Sequence, residues 1–272
     1  MNQTKPSGEP LAVAIVGAGG RVGQLLTATL SADERFIISG LLEQRGSSFI
    51  DEEIINCRSE TIKFSENPGV AFDKAGVIID FSLPAGTMSA LEVALQLRIP
   101  FVSGTTGFSS EQRQRIEHVS EQLPILIASN MSPGITLVRG ILRALMPHIP
   151  ADFDIEIIER HHRRKRDSPS GTALDLITQI REQQDREPFY NWRCGRPQQT
   201  QVRPPDEITV HPVRGGGIIG EHQICFMGES EEIILTHRAF DRKVFIQGTL
   251  MAALFIVQSE PGFYTMDDVL GF

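Results

Sequence analysis

An apolar run over residues 11–16 passes directly into Gly17-Ala18-Gly19-Gly20-Arg21-Val22-Gly23 and then into a segment carrying Leu25, Leu26 and Leu30. Strand, glycine turn and amphipathic helix in that order open a βαβ unit, which sets the strand in a parallel sheet with the helix crossing its face. Glycine has a reason to stand at this turn. The chain doubles back tightly, and a pyrophosphate can approach the bare backbone, its charge met by N–H groups at the helix N-terminus. Gly17, Gly20 and Gly23 give the spacing G-x-x-G-x-x-G, a variant of the usual fingerprint, whose third glycine would fall at Val22. Glu43 ends the next strand candidate, about 20 residues past the last glycine, where a carboxylate accepts hydrogen bonds from the ribose hydroxyls of an adenosine. The two signals together point to a bound nucleotide; the plainer alternative is a glycine turn without a ligand and a surface glutamate.

The first half of the chain repeats this alternation. Apolar strand candidates lie at 36–42, 77–81, 100–103 and 125–128, and between them Val22, Leu25, Leu26 and Leu30 recur at helical spacing. Met88, Leu91, Val93, Leu95 and Leu97 fill a second helical stretch between Gly86 and Pro100, and Ser109-Ser110-Glu111-Gln112 opens a third that Pro124 stops. Beyond Asn130 the pattern changes to a helix over 135–146, a strand over 154–159, an Arg-, Gln- and Pro-rich stretch over 190–212, and strands at 208–210, 223–226 and 232–236. Residues 244–257 and 262–270 read as helical and apolar enough to return to the first domain. At roughly 150 residues per domain, a chain of 272 residues holds two. The expected fold is α/β: a Rossmann-type doubly wound parallel sheet over 1–132 that binds the dinucleotide, completed by 243–272, and an α+β mixed-sheet domain over 133–242 for substrate and oligomerisation.

The chain carries a formal net charge of −8, which disfavours general attraction to nucleic acid or anionic membrane, so any polyanion site must be local. Against that background Arg160-His161-His162-Arg163-Arg164-Lys165-Arg166 sets five permanent cations and two histidines side by side, followed by Asp167-Ser168-Pro169-Ser170-Gly171-Thr172. Cations just after a strand, with Ser170-Gly171-Thr172 at a helix N-terminus, form an anion site suited to a small carboxylate. His161 or His162 can transfer a proton near neutral pH, and Lys165, desolvated among other cations, can act as a general acid. A solvated face or a nucleic-acid patch is the competing reading, although one Trp and two Tyr leave little for bases to stack on. No metal site is expected: His161 and His162 are adjacent, and His211, His222 and His237 are dispersed without ligand spacing. Cys57, Cys194 and Cys225 are far apart with no C-x-x-C, which points to a reducing compartment. With a polar start and a longest apolar run, 250–257, far too short to span a bilayer, the expectation is a cytoplasmic protein.

At these residues the chain resembles the 4-hydroxy-tetrahydrodipicolinate reductase (dihydrodipicolinate reductase) family, nearly end to end. The resemblance rests on Gly17–Gly23, Asp80-Phe-Ser, Gly104-Thr-Thr-Gly-Phe108, Ser129-Asn-Met-Ser132, His161-His-Arg-Arg-Lys165 with Ser168-Pro-Ser-Gly-Thr-Ala173, Val213-Arg-Gly-Gly-Gly and Gly220-Glu-His222. It implies reduction of the cyclic dihydrodipicolinate by NADH or NADPH, with hydride delivered to C4, in a homotetramer. It implies Lys165 as proton donor, His161 as acid/base or stabiliser, and His162, Ser170, Gly171 and Thr172 as holders of a substrate carboxylate. Cofactor contacts fall on Gly17, Ala18, Gly19, Gly20, Arg21, Val22, Gly23, Glu43 and Gln44, and on Gly104, Thr105, Thr106, Ala128, Ser129, Asn130 and Met131 at strand ends. Many family members follow the ribose-binding carboxylate with an Arg suited to the 2′-phosphate of NADPH; here Gln44 stands there, with Arg45 one further on. Ser129 stands where members often carry Ala or Pro. The rival readings are a dehydrogenase of an acyclic amino-acid semialdehyde and a nucleotide-binding regulator that uses the basic run. None of the three cysteines sits in the strand-to-helix context of an acylating nucleophile.

Overall fold

The computed structural model describes residues 9–50, 52–183, 191–196 and 202–272. In chain order the first part holds β1 (Leu11–Val16), α1 (Arg21–Leu30), β2 (Phe36–Leu42), β3 (Glu53–Ile55), β4 (Thr61–Ser65), α2 (Pro68–Phe72), β5 (Val77–Asp80), α3 (Pro84–Leu97), β6 (Phe101–Ser103), α4 (Ser110–Ser120) and β7 (Pro124–Ile127). Then follow α5 (Pro133–Leu145), β8 (Asp154–His161), α6 (Gly171–Glu182), β9 (Asn191–Cys194), β10 (Glu207–Arg214), β11 (Gly220–Met227), β12 (Glu232–Ala239), α7 (Lys243–Ile256), β13 (Gly262–Tyr264) and α8 (Met266–Leu270). Residues Ser132–Val244 form one compact unit, and the described residues on either side of them form the other.

In the flanking unit the strands run in the order β13-β7-β6-β5-β1-β2-β4-β3. All neighbours pair in parallel except β3 with β4. β1 is central, and the chain winds outward from it first through β2 and β4, then from β5 through β6 and β7. The alternation of a strand carries both faces: Val13 and Ile15 pack with Leu26, Leu30, Ile246 and Leu250 on one side, while Ala14 and Val16 pack with Leu91, Phe101, Ile116 and Val119 on the other. Helices on both faces explain why β1 and β5 read as unbroken apolar runs. β3, β4 and α2 have no expected counterpart; a short half-exposed hairpin strand and a single turn after Pro68 carry too little periodicity to be read. Residues 262–270 correct the helical expectation. Gly262–Tyr264 is a strand added in parallel to β7, and helix resumes only at Met266; three residues are decided by tertiary pairing, not by propensity.

The other unit is a five-stranded mixed sheet in the order β12-β11-β8-β10-β9. Ile155, Ile157, Ile208, Val210, Ile224 and Phe226 pack against Ile135 and Leu142 of α5 and Leu176, Ile177 and Ile180 of α6. β8 alternates strictly between half-buried and buried positions, so the phase that buries Ile155 and Ile157 carries Glu159 and His161 to the same side. β9 lies in the Arg-, Gln- and Pro-rich stretch where no strand was expected, and residues 197–201 of that stretch lie outside the described residues.

Gly40 lets α2 close on β2: a Cβ there would sit 1.8 Å from the Ala71 carbonyl oxygen. Gly40→Ala is expected to destabilise by about 1–3 kcal/mol, the scale of overpacking. Gly217→Ala, where a Cβ meets nothing within 4 Å, leaves the thermal midpoint in place. Calorimetry of the two variants against wild type checks both.

Candidate active site

The C-terminal ends of β1, β2, β5, β6 and β7 bring the expected nucleotide residues to one edge of the parallel sheet. Gly17 has φ +74° and a Cβ would meet the Phe81 carbonyl oxygen at 2.8 Å. At Gly23 a Cβ would lie 2.2 Å from the Gly17 carbonyl oxygen, and at Gly19 2.5 Å from the Phe49 ring. The turn therefore has room for backbone alone. Gly20 is the N-cap of α1 and supplies no side-chain cap, and the first turn of α1 holds no acidic residue, so its first N–H groups have no built-in anion. Glu43 Oε1 accepts from Gly19 N at 2.7 Å and Oε2 from Gln44 N at 3.2 Å, which ties the carboxylate to the loop it serves. A cleft of about 740 Å³ is lined by Gly19, Gly20, Glu43, Arg45, Phe49 and Phe81, among others, a size that takes a cofactor. A glycine turn that admits no Cβ at residues 17, 19 and 23, a helix N-terminus without a side-chain cap and a flanking carboxylate fit a dinucleotide.

Not every expected contact offers a side chain. Ala18 and Met131 are buried in the core, and Val22 packs against it, so these three can reach a ligand only through backbone. Arg21, Gln44, Thr106 and Ser129 are exposed, and Gly104, Ala128 and Asn130 half-buried. Thr105 is buried because Asp80 holds it. Asp80 Oδ2 accepts from Thr105 Oγ1 at 2.9 Å, Ser103 Oγ at 2.6 Å and Thr87 Oγ1 at 2.7 Å. Its Oδ1 accepts from Ser82 N at 3.0 Å and Ser82 Oγ at 2.5 Å. One carboxylate thus joins β5, β6, α3 and the Gly104–Thr106 turn.

In the mixed-sheet unit the centre is Glu159, whose side chain is fully buried. Oε1 accepts from Ser170 N at 2.9 Å and Arg214 Nη2 at 2.7 Å, and Oε2 from Arg214 Nη1 at 2.7 Å and His161 Nδ1 at 2.6 Å. Burial alone would raise its pKa; the hydrogen bonds from His161, Arg214 and Ser170 outweigh it and bring the pKa down to about 2. Ser170 caps α6, its Oγ accepting from Ala173 N at 3.2 Å. Its Oγ also lies 3.1 Å from His222 Nε2. Burial first, then His161, pushes the His222 pKa down to about 3, so that ring is neutral. His222 Nδ1 has no hydrogen-bond partner among the described residues, and an unmet lone pair costs less than an unmet N–H, so Nε2 carries the proton and donates to Ser170. With both lone pairs engaged, the Ser170 hydroxyl has its own O–H to offer a ligand. His161 and His222 meet edge to face, with ring centroids 5.2 Å apart.

The basic run does not act as one patch. Arg160 points to the opposite face of β8 from His161 and pairs with Glu221 at 3.3 Å, while Arg163, Arg164 and Arg166 are exposed. Lys165 Nζ pairs with Asp167 at 2.8 Å, where the expectation was a lysine among cations; the Asp167 carboxylate also accepts from the Gly171 backbone. His162 is half-buried, its pKa lowered by burial and then by Arg242 and Arg164, and Gly171 and Thr172 form the first turn of α6. Among the described residues no three His, Cys, Asp or Glu gather as a metal-holding group. Glu159, Arg214, His222, Asp167 and Asp80 were missed as individual site residues. Glu159 and His222 carried a signal: each is a polar residue in phase with the buried apolar residues of its strand.

The dihydrodipicolinate reductase N-terminus family matches residues 11–131, and its C-terminus family matches residues 134–270. The chain belongs to the dihydrodipicolinate reductase family. It is 35% identical over 264 residues to the 4-hydroxy-tetrahydrodipicolinate reductase of Nitrosomonas europaea, covering 96% of this chain and 98% of that one. It is 36% identical to that of Rubrobacter xylanophilus, with 95% and 97% covered. The dipicolinate-bound dihydrodipicolinate reductase of Paenisporosarcina sp. TG-14 superposes with a TM-score of 0.74 at 25% identity, covering 94% of this chain and 97% of that chain. Membership makes the chain a reductase that uses NADH or NADPH. No helix among the described residues is long and apolar enough to cross a membrane.

Two outcomes follow. Gly23→Val is expected to abolish NADH binding and to disturb folding, whereas Gly20→Val, where a Cβ meets only the Gly17 carbonyl oxygen at 3.1 Å, folds and loses affinity; calorimetric titration with circular dichroism separates the two. The depressed Glu159 pKa stabilises the fold above the ordinary carboxylate value of 4.5, and that contribution is lost as pH falls toward about 2. In denaturant titrations, the stability gap between wild type and Glu159→Gln should narrow across that window.

Proposed function

We propose that this chain reduces dihydrodipicolinate, formed by loss of water from 4-hydroxy-tetrahydrodipicolinate, to tetrahydrodipicolinate in the synthesis of diaminopimelate and lysine. The observation that carries the reading is the junction of His161 and Ser170 on the buried Glu159, which joins an acid/base ring to an anion-holding helix terminus, with Lys165 held by Asp167 in the turn between them. NADH or NADPH supplies the hydride when bound. The flanking unit holds the cofactor through the Gly17–Gly23 turn, Glu43 and Gln44, with Gly104–Thr106 and 128–131 toward the nicotinamide ribose. A substrate carboxylate lies against the Ser170 hydroxyl, the N–H groups of Gly171 and Thr172, and His162. Hydride addition to an electron-poor ring leaves negative charge that a proton must meet. Lys165 donates that proton, and His161 acts as acid/base or stabiliser. The family resemblance extends the proposal to a homotetramer in the cytoplasm, which sedimentation and fractionation check.

A synthase-coupled assay following NADH oxidation tests the roles. Lys165→Ala should lower kcat by about 10²- to 10⁴-fold with NADH affinity unchanged. A raised KM with kcat intact would instead make Lys165 a binder of the dianion. Glu43 favours the free ribose diol, so NADH should serve at least as well as NADPH, and a preference for NADPH of about tenfold, or ~1.4 kcal/mol, would contradict that assignment.

A further inference from the structure

Four donors converge on the Glu159 carboxylate, two on each oxygen, and only the donor from His161 has a choice of form. The Ser170 N–H is backbone and the Arg214 guanidinium is permanently charged, so both donate in every protonation state. An ionised carboxylate accepts only, and the neutral imidazole beside it must therefore present its proton on Nδ1. Arg214 makes the arrangement rigid, since its fork grips both carboxylate oxygens and Nη2 also donates to the Asp167 carbonyl at 2.6 Å. Gly215 N donates to the His161 carbonyl at 2.9 Å, fixing the backbone of the ring it faces. On the far side Nε2 stands over Gly220, where a Cβ would come within 3.3 Å.

We propose that Glu159, clamped by Arg214, is the positioning residue of this site: it fixes neutral His161 as the Nδ1–H tautomer, so that Nε2 alone exchanges a proton with substrate. The same carboxylate sets the spacing between that nitrogen and the Ser170 turn that grips the substrate carboxylate. The proposal rests on the reductase reading above and adds to it a residue that touches neither substrate nor cofactor. A buried ion pair kept for stability alone would predict something different: a lower thermal midpoint with the tautomer of His161 and the turnover of the folded enzyme unchanged.

The test pairs kinetics with nitrogen-15 NMR of histidine-labelled enzyme, in which the two ring nitrogens of each tautomer have distinct shifts. In wild type, neutral His161 is expected to show a protonated Nδ1 and a bare Nε2. In Glu159→Gln that signature is expected to give way to a mixture, with kcat down about 10²-fold or more and NADH affinity unchanged in direct titration. A proton on Nε2 in the wild type, or wild-type kcat in a folded Glu159→Gln, overturns the proposal. Should that variant fail to fold, the wild-type spectrum still decides. Failure of the wild type to oxidise NADH with dihydrodipicolinate would overturn the reaction, not the tautomer, so the two failures are told apart.

Discussion

A buried carboxylate surrounded by four donors organises the mixed-sheet unit. Glu159 is out of reach of water, and an isolated charge there would be untenable; the guanidinium of Arg214, the ring of His161 and the N–H of Ser170 make it the lowest-energy form of the residue. Because the four donors come from three residues in three stretches of chain, the carboxylate fixes three things together: the end of β8, the end of β10, and the start of α6. The ring and the helix terminus on which the proposed chemistry depends are thereby locked to one another before any ligand arrives.

The flanking unit solves a different problem, by leaving atoms out. The glycines of the first turn let backbone pack on backbone, with the N–H groups of Gly17, Ala18, Gly19 and Gly20 already engaged, and leave the uncapped start of α1 for a ligand; Ala18 lies in the core and Val22 packs against it. Asp80 plays a part there comparable to that of Glu159, but with neutral donors: hydroxyls and one N–H gather on it and tie the turn after β6 to β5 and α3. In each unit a carboxylate at a strand end is the fixed point for a loop that must be placed accurately.

Sequence reading reached much of this, and its failures have physical causes. The strand-turn-helix at 11–30 was legible because periodicity, glycine spacing and Glu43 agreed. The strands at 53–55, 61–65 and 191–194 were not, since each is short and at least partly exposed and depends on a neighbour for its shape. The basic run was legible as an anomaly but not as a structure: alternation along β8 sends Arg160 and His161 to opposite faces, and Asp167 pairs with Lys165 across a turn that spacing does not reveal. Glu159 and Arg214 are 55 residues apart, and only the parallel pairing of β8 with β10, which sets Val213 beside Arg160, brings them together.

The central chemistry is hydride transfer to the cyclic dicarboxylate. A single turnover with NADH carrying two deuterium atoms at nicotinamide C4, mixed with freshly formed dihydrodipicolinate and followed by mass spectrometry, measures it directly. One deuterium is expected to leave the nicotinamide and appear at ring carbon C4 of tetrahydrodipicolinate. Unchanged deuterated NADH, or a product without the label, would contradict it.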